Sequence, residues 1–519
     1  MTSANSRLRA TALVILLGLF AGLLCFYTAH NSYPFFYHTD EPGKVRQVID
    51  GTRNFHHPLL LISATDLATR ALHIERTDQN VVVVGRWVSA VCAALAMAGV
   101  AVLVARRAGL VAGVTAEVLA GLHPVIFQSA HVMKEDCALL FGIVWAFCAL
   151  DSFCARERIS ALVLTSIGCG VAVSGKYIGV LMLITAAVVV AIQSQGDRCS
   201  HGPVARHGVD APQGRGYSAL TTLVMRLLVL VAAAVITFAI LNFQALLRPS
   251  FAFVAAGTEF DHMRHLGKAH LLQTNYLPKL VRRAGIPTLI AVAVCVWMLI
   301  VRRRRATTEW TMLGFSAAWL LLLSFTPLSK DRYLLPVLTL FFALAIIGLR
   351  WFLEWIGERA PRLPQLSILL LCCAGLAAVY LPKTFALQRE FATDSRKQMI
   401  GWIRQNLPAD AVIAHESRIW PPPGATGVDG DFFIPQRRIE AQQFASEFQN
   451  IENLRALGAT HVVVLGKFYR DLLEGAEVVP VRAEPQFYRA LDDRAKLVWR
   501  VERGQDLYTH PELSVYELR

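Results

Sequence analysis

The feature that most constrains this chain is a series of long apolar runs separated by short gaps that carry arginine. A helix needs about 20 apolar residues to cross the hydrocarbon core of a bilayer. About eleven stretches approach that length, near residues 11–29, 81–104, 109–127, 137–154, 159–175, 177–193, 220–247, 285–301, 309–325, 334–351 and 365–382. Hydrophobic residues make up 55% of the 519 and charged residues only 17%, too apolar a balance for a water-soluble chain of this size. The bilayer is therefore its solvent. The first run, Thr11 to Ala29, follows Arg7 and Arg9 and has no convincing small-x-small cleavage site before Asn31, so it reads as an uncleaved span.

The formal net charge of +13 invites a nucleic-acid reading, but much of the excess is arginine in the gaps, which is a topology signal. With a cytoplasmic N-terminus, the inner segments hold Arg7, Arg9, Arg106, Arg107, Arg156, Arg158, the runs from Gln193 to Gly216 and Arg302 to Arg305, and Arg350, Arg359 and Arg362. The short outer loops hold only Lys134, Lys176, Lys330 and Arg332. An odd number of crossings then places the C-terminal tail outside. The ten cysteines all lie at or before Cys373, mostly in or near apolar runs. That distribution argues against a disulfide framework or a structural zinc site.

The chain divides by composition into a membrane domain, residues 1–382, with a first outer loop near 30–80, and a soluble domain, residues 383–519. In the latter, patterning predicts helices at Asp394–Asn406 and Ile451–Leu457. It predicts strands at Ala411–Ala414, His461–Leu465, Lys496–Val501 and Leu513–Leu518. The alternation implies a small α/β domain. It carries no glycine-rich phosphate loop, so no nucleotide site is expected.

Four polar constellations interrupt the apolar pattern on the outer side. Asp40-Glu41-Pro42 follows the first span, and Pro42 suits the first turn of a helix whose N-terminus favours both carboxylates ionised. Such a carboxylate can take a proton from an attacking hydroxyl, and it can equally be a plain helix cap. His56-His57-Pro58 reads either as a turn opening a surface helix or as a substrate contact; two adjacent histidines alone chelate metal poorly. Lys134-Glu135-Asp136 stands at the mouth of the fourth span, where acids are rare. Glu135 or Asp136 reads as a boundary turn, as a group orienting a sugar or acceptor, or as support for a divalent ion together with Asp40. Lys176, between two spans, and Lys330-Asp331-Arg332-Tyr333, opening a late span, lie at the depth of a lipid phosphate. Lysine there often only snorkels, but paired cations neutralise phosphate oxygens.

The order of these motifs resembles the GT-C superfamily, and within it the branch of protein O-mannosyltransferases and bacterial aminoarabinose transferases. The elements are a first-loop Asp-Glu, a later His-Pro-Leu, a second acidic turn, Arg332-Tyr333-Leu-Leu-Pro, and the tail segments 396–408 and 457–464. The resemblance implies inverting transfer of a sugar from a polyprenyl phosphate carrier, dolichyl or undecaprenyl, to an acceptor hydroxyl or amine on glycan, lipid or protein. Asp40 would act as the base, Glu135 or Asp136 as the second acidic site, and Arg332 and Tyr333 would face the donor phosphate. Where the family often has a Pro-Pro pair, this chain has His57-Pro58-Leu59, which leaves the roles of His56 and His57 open. No tightly bound organic cofactor is expected, a divalent cation is left open, and the partners are membrane lipids and the two substrates, not nucleic acid. The rival reading is a transporter or lipid-linked sugar flippase, which predicts inverted repeats, broken helices and charges near the bilayer midplane.

Overall fold

The computed structural model describes residues 3–31, 36–38, 40–200, 215–265, 276–301, 306–325, 330–362, 364–416, 419–420, 434–441, 444–466, 485–502, 504 and 511–518. The Arg302–Arg305 run and residues 201–214 of the inner loop lie outside them. The chain forms two compact units, one of Met1–Thr28, Asp50–Ala71 and Gly85–Leu381, the other of Ala29–Ile49, Leu72–Val84 and Pro382–Arg519.

Helices dominate the first unit. In chain order the helices before the tail are α1 (Ser3–Thr28), α2 (Glu41–Ile49), α3 (Leu60–Ala71), α4 (Asp78–Ala108), α5 (Leu110–Gly121), α6 (Pro124–Ala130), α7 (Asp136–Arg156), α8 (Ile159–Gly175) and α9 (Val180–Ser200). There follow α10 (Arg215–Leu241), α11 (Phe243–Leu247), α12 (Pro249–His265), α13 (Tyr276–Val301), α14 (Thr307–Leu323), α15 (Leu335–Gly357) and α16 (Gln365–Ala392). Each apolar stretch read from the sequence is helical. Among the described residues eight helices are long and apolar enough to cross a membrane, or nine if α5 and α6, bent by 69° at their junction, make one span. The remaining apolar stretches are 17-residue helices, α8 and α14. The protein is thus a multi-pass membrane protein.

Small residues set the tightest helix contact in this unit. A Cβ built on Gly142 of α7 would fall 2.3 Å from the Ala172 nitrogen of α8, and one on Gly175 of α8 would fall 2.4 Å from the Leu139 nitrogen of α7. Without side chains between them the two backbones meet, as membrane helices do where Gly and Ala line the seam. At the far ends of α4 and α7 a buried ion cluster fastens a third helix. Arg107 forks onto Glu309 of α14 at 2.6 and 2.8 Å, and Asp151 of α7 accepts from Thr308 at 2.9 Å.

The second unit holds a five-stranded sheet of order β2-β1-β3-β5-β4, made of β1 (Val412–His415), β2 (Arg437–Glu440), β3 (His461–Leu465), β4 (Lys496–Val501) and β5 (Leu513–Glu517). β1 runs parallel to both β2 and β3, whereas β5 is antiparallel to β3 and β4. Alternate residues of each strand face opposite layers. Ile413, Val463, Leu465 and Val515 pack with Met399, Ile400 and Ile403 of α17 (Ser395–Asn406). On the other face Ala414, Val462, Val464 and Tyr516 pack with Ile451 and Leu454 of α18 (Ile451–Ala456) and with Phe487 and Leu491 of α19 (Pro485–Arg494). Asp394 caps α17, its carboxylate accepting from the Arg396 amide at 2.9 Å and from the Arg396 guanidinium at 2.6 Å. The expected tail elements are present. β2 and α19 are additional, because β2 reads Arg-Arg-Ile-Glu on a largely exposed edge and gives no apolar alternation.

Candidate active site

The close approach of α7 and α8 decides where Lys176 goes. It follows Gly175 in extended conformation as the C-cap of α8, and its ammonium reaches Asp136 Oδ1, at the first residue of α7, at 2.6 Å. Arg332 comes to the same carboxylate from a 3-10 turn, Asp331–Leu334, with its Nε 3.6 Å from Asp136 Oδ2. That turn is held by Trp319 of α14, whose indole N–H donates to the Tyr333 carbonyl at 2.8 Å. The Tyr333 ring lies close to both cations, 4.7 Å from the Lys176 ammonium and 5.4 Å from the Arg332 guanidinium carbon. Asp136 is 3% exposed, while Lys176 and Arg332 keep 16% and 23% of their side chains open. The carboxylate is therefore the buried anchor and the cations are the accessible edge.

Lys134 and Glu135 complete the cluster, and both are buried. The Ser89 hydroxyl pins the Lys134 backbone, accepting from its amide at 3.2 Å and donating to its carbonyl at 3.3 Å. Burial, with Arg332 next in effect, pushes Lys134 down to about 7. For Lys176 burial works downward too, but Asp136, with Tyr333 beside it, holds the ammonium above the ordinary lysine value. Lys134, Lys176 and Arg332 stand against Glu135 and Asp136, so the fully ionised cluster carries one net positive charge.

Lys330, the N-cap of the turn, is exposed. His56 and His57 are half-buried, and their segment is tied down on both sides. Tyr177, the residue after Lys176, donates to the Phe55 carbonyl at 3.0 Å. Asn242 accepts from the Leu59 amide at 2.6 Å and donates to Ser174 at 2.9 Å.

Asp40 and Glu41 belong to the other unit, and the structure separates their roles. Glu41 is fully buried, and its carboxylate accepts from the Tyr37 and His38 amides at 2.6 and 3.3 Å, which makes it a structural cap of the preceding turn. Those two bonds tie the Glu41 carboxylate to the backbone of its own loop. Asp40, just ahead of α2, keeps 38% of its side chain exposed, with His38 Nδ1 3.7 Å from Oδ1.

A divalent ion does not fit at Asp136. Two cations already share its carboxylate, and among the described residues no group of three His, Cys, Asp or Glu side chains converges.

The sequence reading passed over a buried polar network beside this cluster. α13 is broken at Gly285 (φ 72°) with Pro287 two residues on. Proline has no N–H for the carbonyl four residues back, and the glycine break frees the next one. His123, in the bend between α5 and α6, faces the first of these, Nε2 lying 3.0 Å from the Arg283 carbonyl, and Tyr380 of α16 donates to the Ala284 carbonyl. Arg283 pairs through its guanidinium with Asp331, the residue before Arg332. The Gly-Ile-Pro inside an apolar run was the available signal.

The fold is that of a multi-pass membrane protein with a GT-C-like architecture. Residues 76–207 match the family model described as dolichyl-phosphate-mannose-protein mannosyltransferase. Over nearly its whole length the chain is similar to ArnT from Cupriavidus metallidurans bound to undecaprenyl phosphate, with 13% identity, a TM-score of 0.51, and 97% of each chain covered. Against the apo state of ArnT the identity is 14%, the TM-score 0.50 and the coverage 98% of each chain. The Archaeoglobus fulgidus oligosaccharyltransferase in the apo form gives 14% identity and a TM-score of 0.48, covering 88% of this chain and 70% of that one. No curated protein matches the sequence. The family match and the whole-chain fold bear out the resemblance to the mannosyltransferase and aminoarabinose transferase branch read from the motifs.

Proposed function

We propose that the protein is an inverting glycosyltransferase that moves a sugar from a polyprenyl phosphate carrier to an acceptor hydroxyl or amine at the outer face of the cell membrane. The observation that carries this reading is the convergence of Lys176 and Arg332 on Asp136 around Tyr333, a partly open cationic edge on a buried acid. A phosphate monoester leaving group gains negative charge as the sugar departs, so fixed cations stabilise that transition state more than the ground state. The family match over residues 76–207, and the undecaprenyl phosphate of the ArnT structure, support a lipid phosphate as the carrier.

In this mechanism Asp40 takes the proton from the acceptor as its oxygen or nitrogen attacks the anomeric carbon. The bond from that carbon to the phosphate oxygen breaks, the electron pair leaves on the phosphate, and the anomeric configuration inverts. Phosphate needs no protonation to leave, so one carboxylate suffices where glycoside hydrolysis uses two. Lys176 and Arg332 receive the phosphate, with Lys330 at the rim. Glu135, His56 and His57 contact donor or acceptor sugar, the N-terminus is cytoplasmic, and residues 383–519 form an extracytoplasmic domain.

The flippase reading gains one observation, since α5/α6 and α13 are broken as transporter helices often are. In α13, however, the carbonyls freed by the break meet His123 and Tyr380 of the protein itself, which leaves them closed to a passing ion or headgroup.

The test is sugar transfer by the purified protein in nanodiscs, supplied with the polyprenyl phosphate sugar that accumulates in cells lacking it. Asp40→Asn is expected to abolish transfer with folding intact. Full transfer by that variant removes Asp40 as the base, and carrier movement across the bilayer without any transfer favours the flippase.

A further inference from the structure

We infer that Arg283 is a positioning residue for the Arg332–Tyr333 turn, and that the break in α13 exists to hold it there; this rests on the proposed phosphate-binding role of Arg332. The argument starts from backbone chemistry. Gly285 adopts φ 72° and ψ 147°, a conformation that residues with a side chain rarely take, and Pro287 cannot donate to the Arg283 carbonyl. Within a membrane such freed carbonyls must be met by protein. One imidazole meets the first and fixes a second break as well. His123 Nδ1 accepts from the Val125 amide at 3.3 Å, capping α6, so Nε2 carries the hydrogen and donates to the Arg283 carbonyl at 3.0 Å. Tyr380 donates to the Ala284 carbonyl, and its ring lies 4.9 Å from that of His123 and 5.5 Å from that of Phe342 in α15.

The backbone at Arg283 is thus fastened from two sides at the point where α13 changes direction. Its guanidinium is consequently delivered to Asp331, and Asp331 opens the turn that presents Arg332 to Asp136. Trp319 restrains the same turn at the Tyr333 carbonyl. A short turn fixed by an ion pair at its first residue and a hydrogen bond at its third has little freedom left, so Arg332 meets its ligand without first being ordered. A flexible arginine would lose rotamer entropy on binding phosphate; a fixed one has already lost it on folding. Arg283 therefore acts through Arg332 and not on the ligand.

The experiment measures binding of undecaprenyl phosphate to full-length protein in nanodiscs for the wild type, Arg283→Ala, Arg283→Lys, Arg332→Ala and the Arg283→Ala/Arg332→Ala double variant, each with its Tm. Arg283→Ala is expected to raise Kd about tenfold with little change in Tm, Arg283→Lys to restore most of the affinity, and the double variant to bind no more weakly than Arg332→Ala alone. A residue of merely structural importance would lower Tm and would add its loss to that of Arg332→Ala. Unchanged affinity in Arg283→Ala, or additive losses in the double variant, overturns the inference while leaving Arg332 as a phosphate ligand. Unchanged affinity in Arg332→Ala, with the protein folded, overturns the phosphate-binding reading and this inference with it.

Discussion

The Lys176 ammonium lies 2.6 Å from Asp136 Oδ1, closed into place by a helix seam that has no side chains between α7 and α8. A largely buried pair of this kind contributes little as a pair but is costly to halve, because the partner left behind keeps its charge with little access to water. Removing one member typically costs about 3–5 kcal/mol. Asp136→Ala should therefore destabilise the membrane unit by an amount in that range, and Lys176→Gln by less, since Arg332 still faces the carboxylate. The Asp136→Ala/Lys176→Gln double variant should lose less than the sum of its singles. Thermal unfolding in nanodiscs measures all three, and strictly additive losses would show that the two groups are not energetically coupled.

The two neighbouring acids of the first outer loop should separate cleanly. Glu41→Ala removes the acceptor for two amides in a buried turn, which should cost about 1–3 kcal/mol. It should also speed hydrogen exchange at Tyr37 and His38. Asp40→Asn, at a partly exposed position, should change stability by less than about 0.5 kcal/mol. If exchange at Tyr37 and His38 is unchanged in Glu41→Ala, the capping role is wrong.

Glu117, in the middle of α5, is fully buried, and neither carboxyl oxygen has a hydrogen-bond partner among the described residues. Replacing an unpartnered buried acid by an apolar residue of similar length relieves a desolvation cost of about 1–3 kcal/mol. Glu117→Met should raise Tm; a drop of several degrees would mean that Glu117 carries an interaction the fold depends on.

The second unit contains two adjacent groups with opposed titrations. Burial pushes the Glu416 carboxyl up to about 7, against the pull of its donors Tyr488, Leu465 N–H and Ala445 N–H. Burial also pulls His415 down to about 4. Between about pH 4.5 and 7 the folded state holds more of the Glu416 proton than the unfolded state does, so that residue's contribution falls as pH rises. Between about pH 4 and 6.5 the folded state holds less of the His415 proton, so that contribution rises. At roughly 1.4 kcal/mol per unit the slopes are similar and largely cancel. Wild-type stability should be nearly flat across this window. Glu416→Gln should make it climb with pH, and His415→Gln should make it fall. Hydrogen exchange at β1 and β3 in the full-length protein reads both slopes, and parallel profiles in the two variants would contradict the assignment.

Much of this architecture was legible because period and composition are local. The apolar runs, Asp394 as a helix cap and the alternation of 461–465 need no partner to be recognised. β2 escaped because an exposed edge strand of Arg-Arg-Ile-Glu carries no burial pattern. Glu117 lies inside the apolar run 109–127, where an acid is itself a signal. Asp40 and Glu41 looked alike as neighbours, yet one carboxylate turns back to buried amides and the other keeps its exposure.

What the amino-acid order determined alone was the solvent of each segment: which stretches must be helical in lipid, which belong in water, and which charges sit at helix mouths. Only the tertiary structure decided that Lys176 and Arg332 share one carboxylate, and that a broken helix carries Arg283 to Asp331. Hydrophobicity and period act over a few residues, whereas those pairings arise where separate helices approach closely enough for ions to meet. Such distances depend on the glycine seams and kinks that set how whole helices lie.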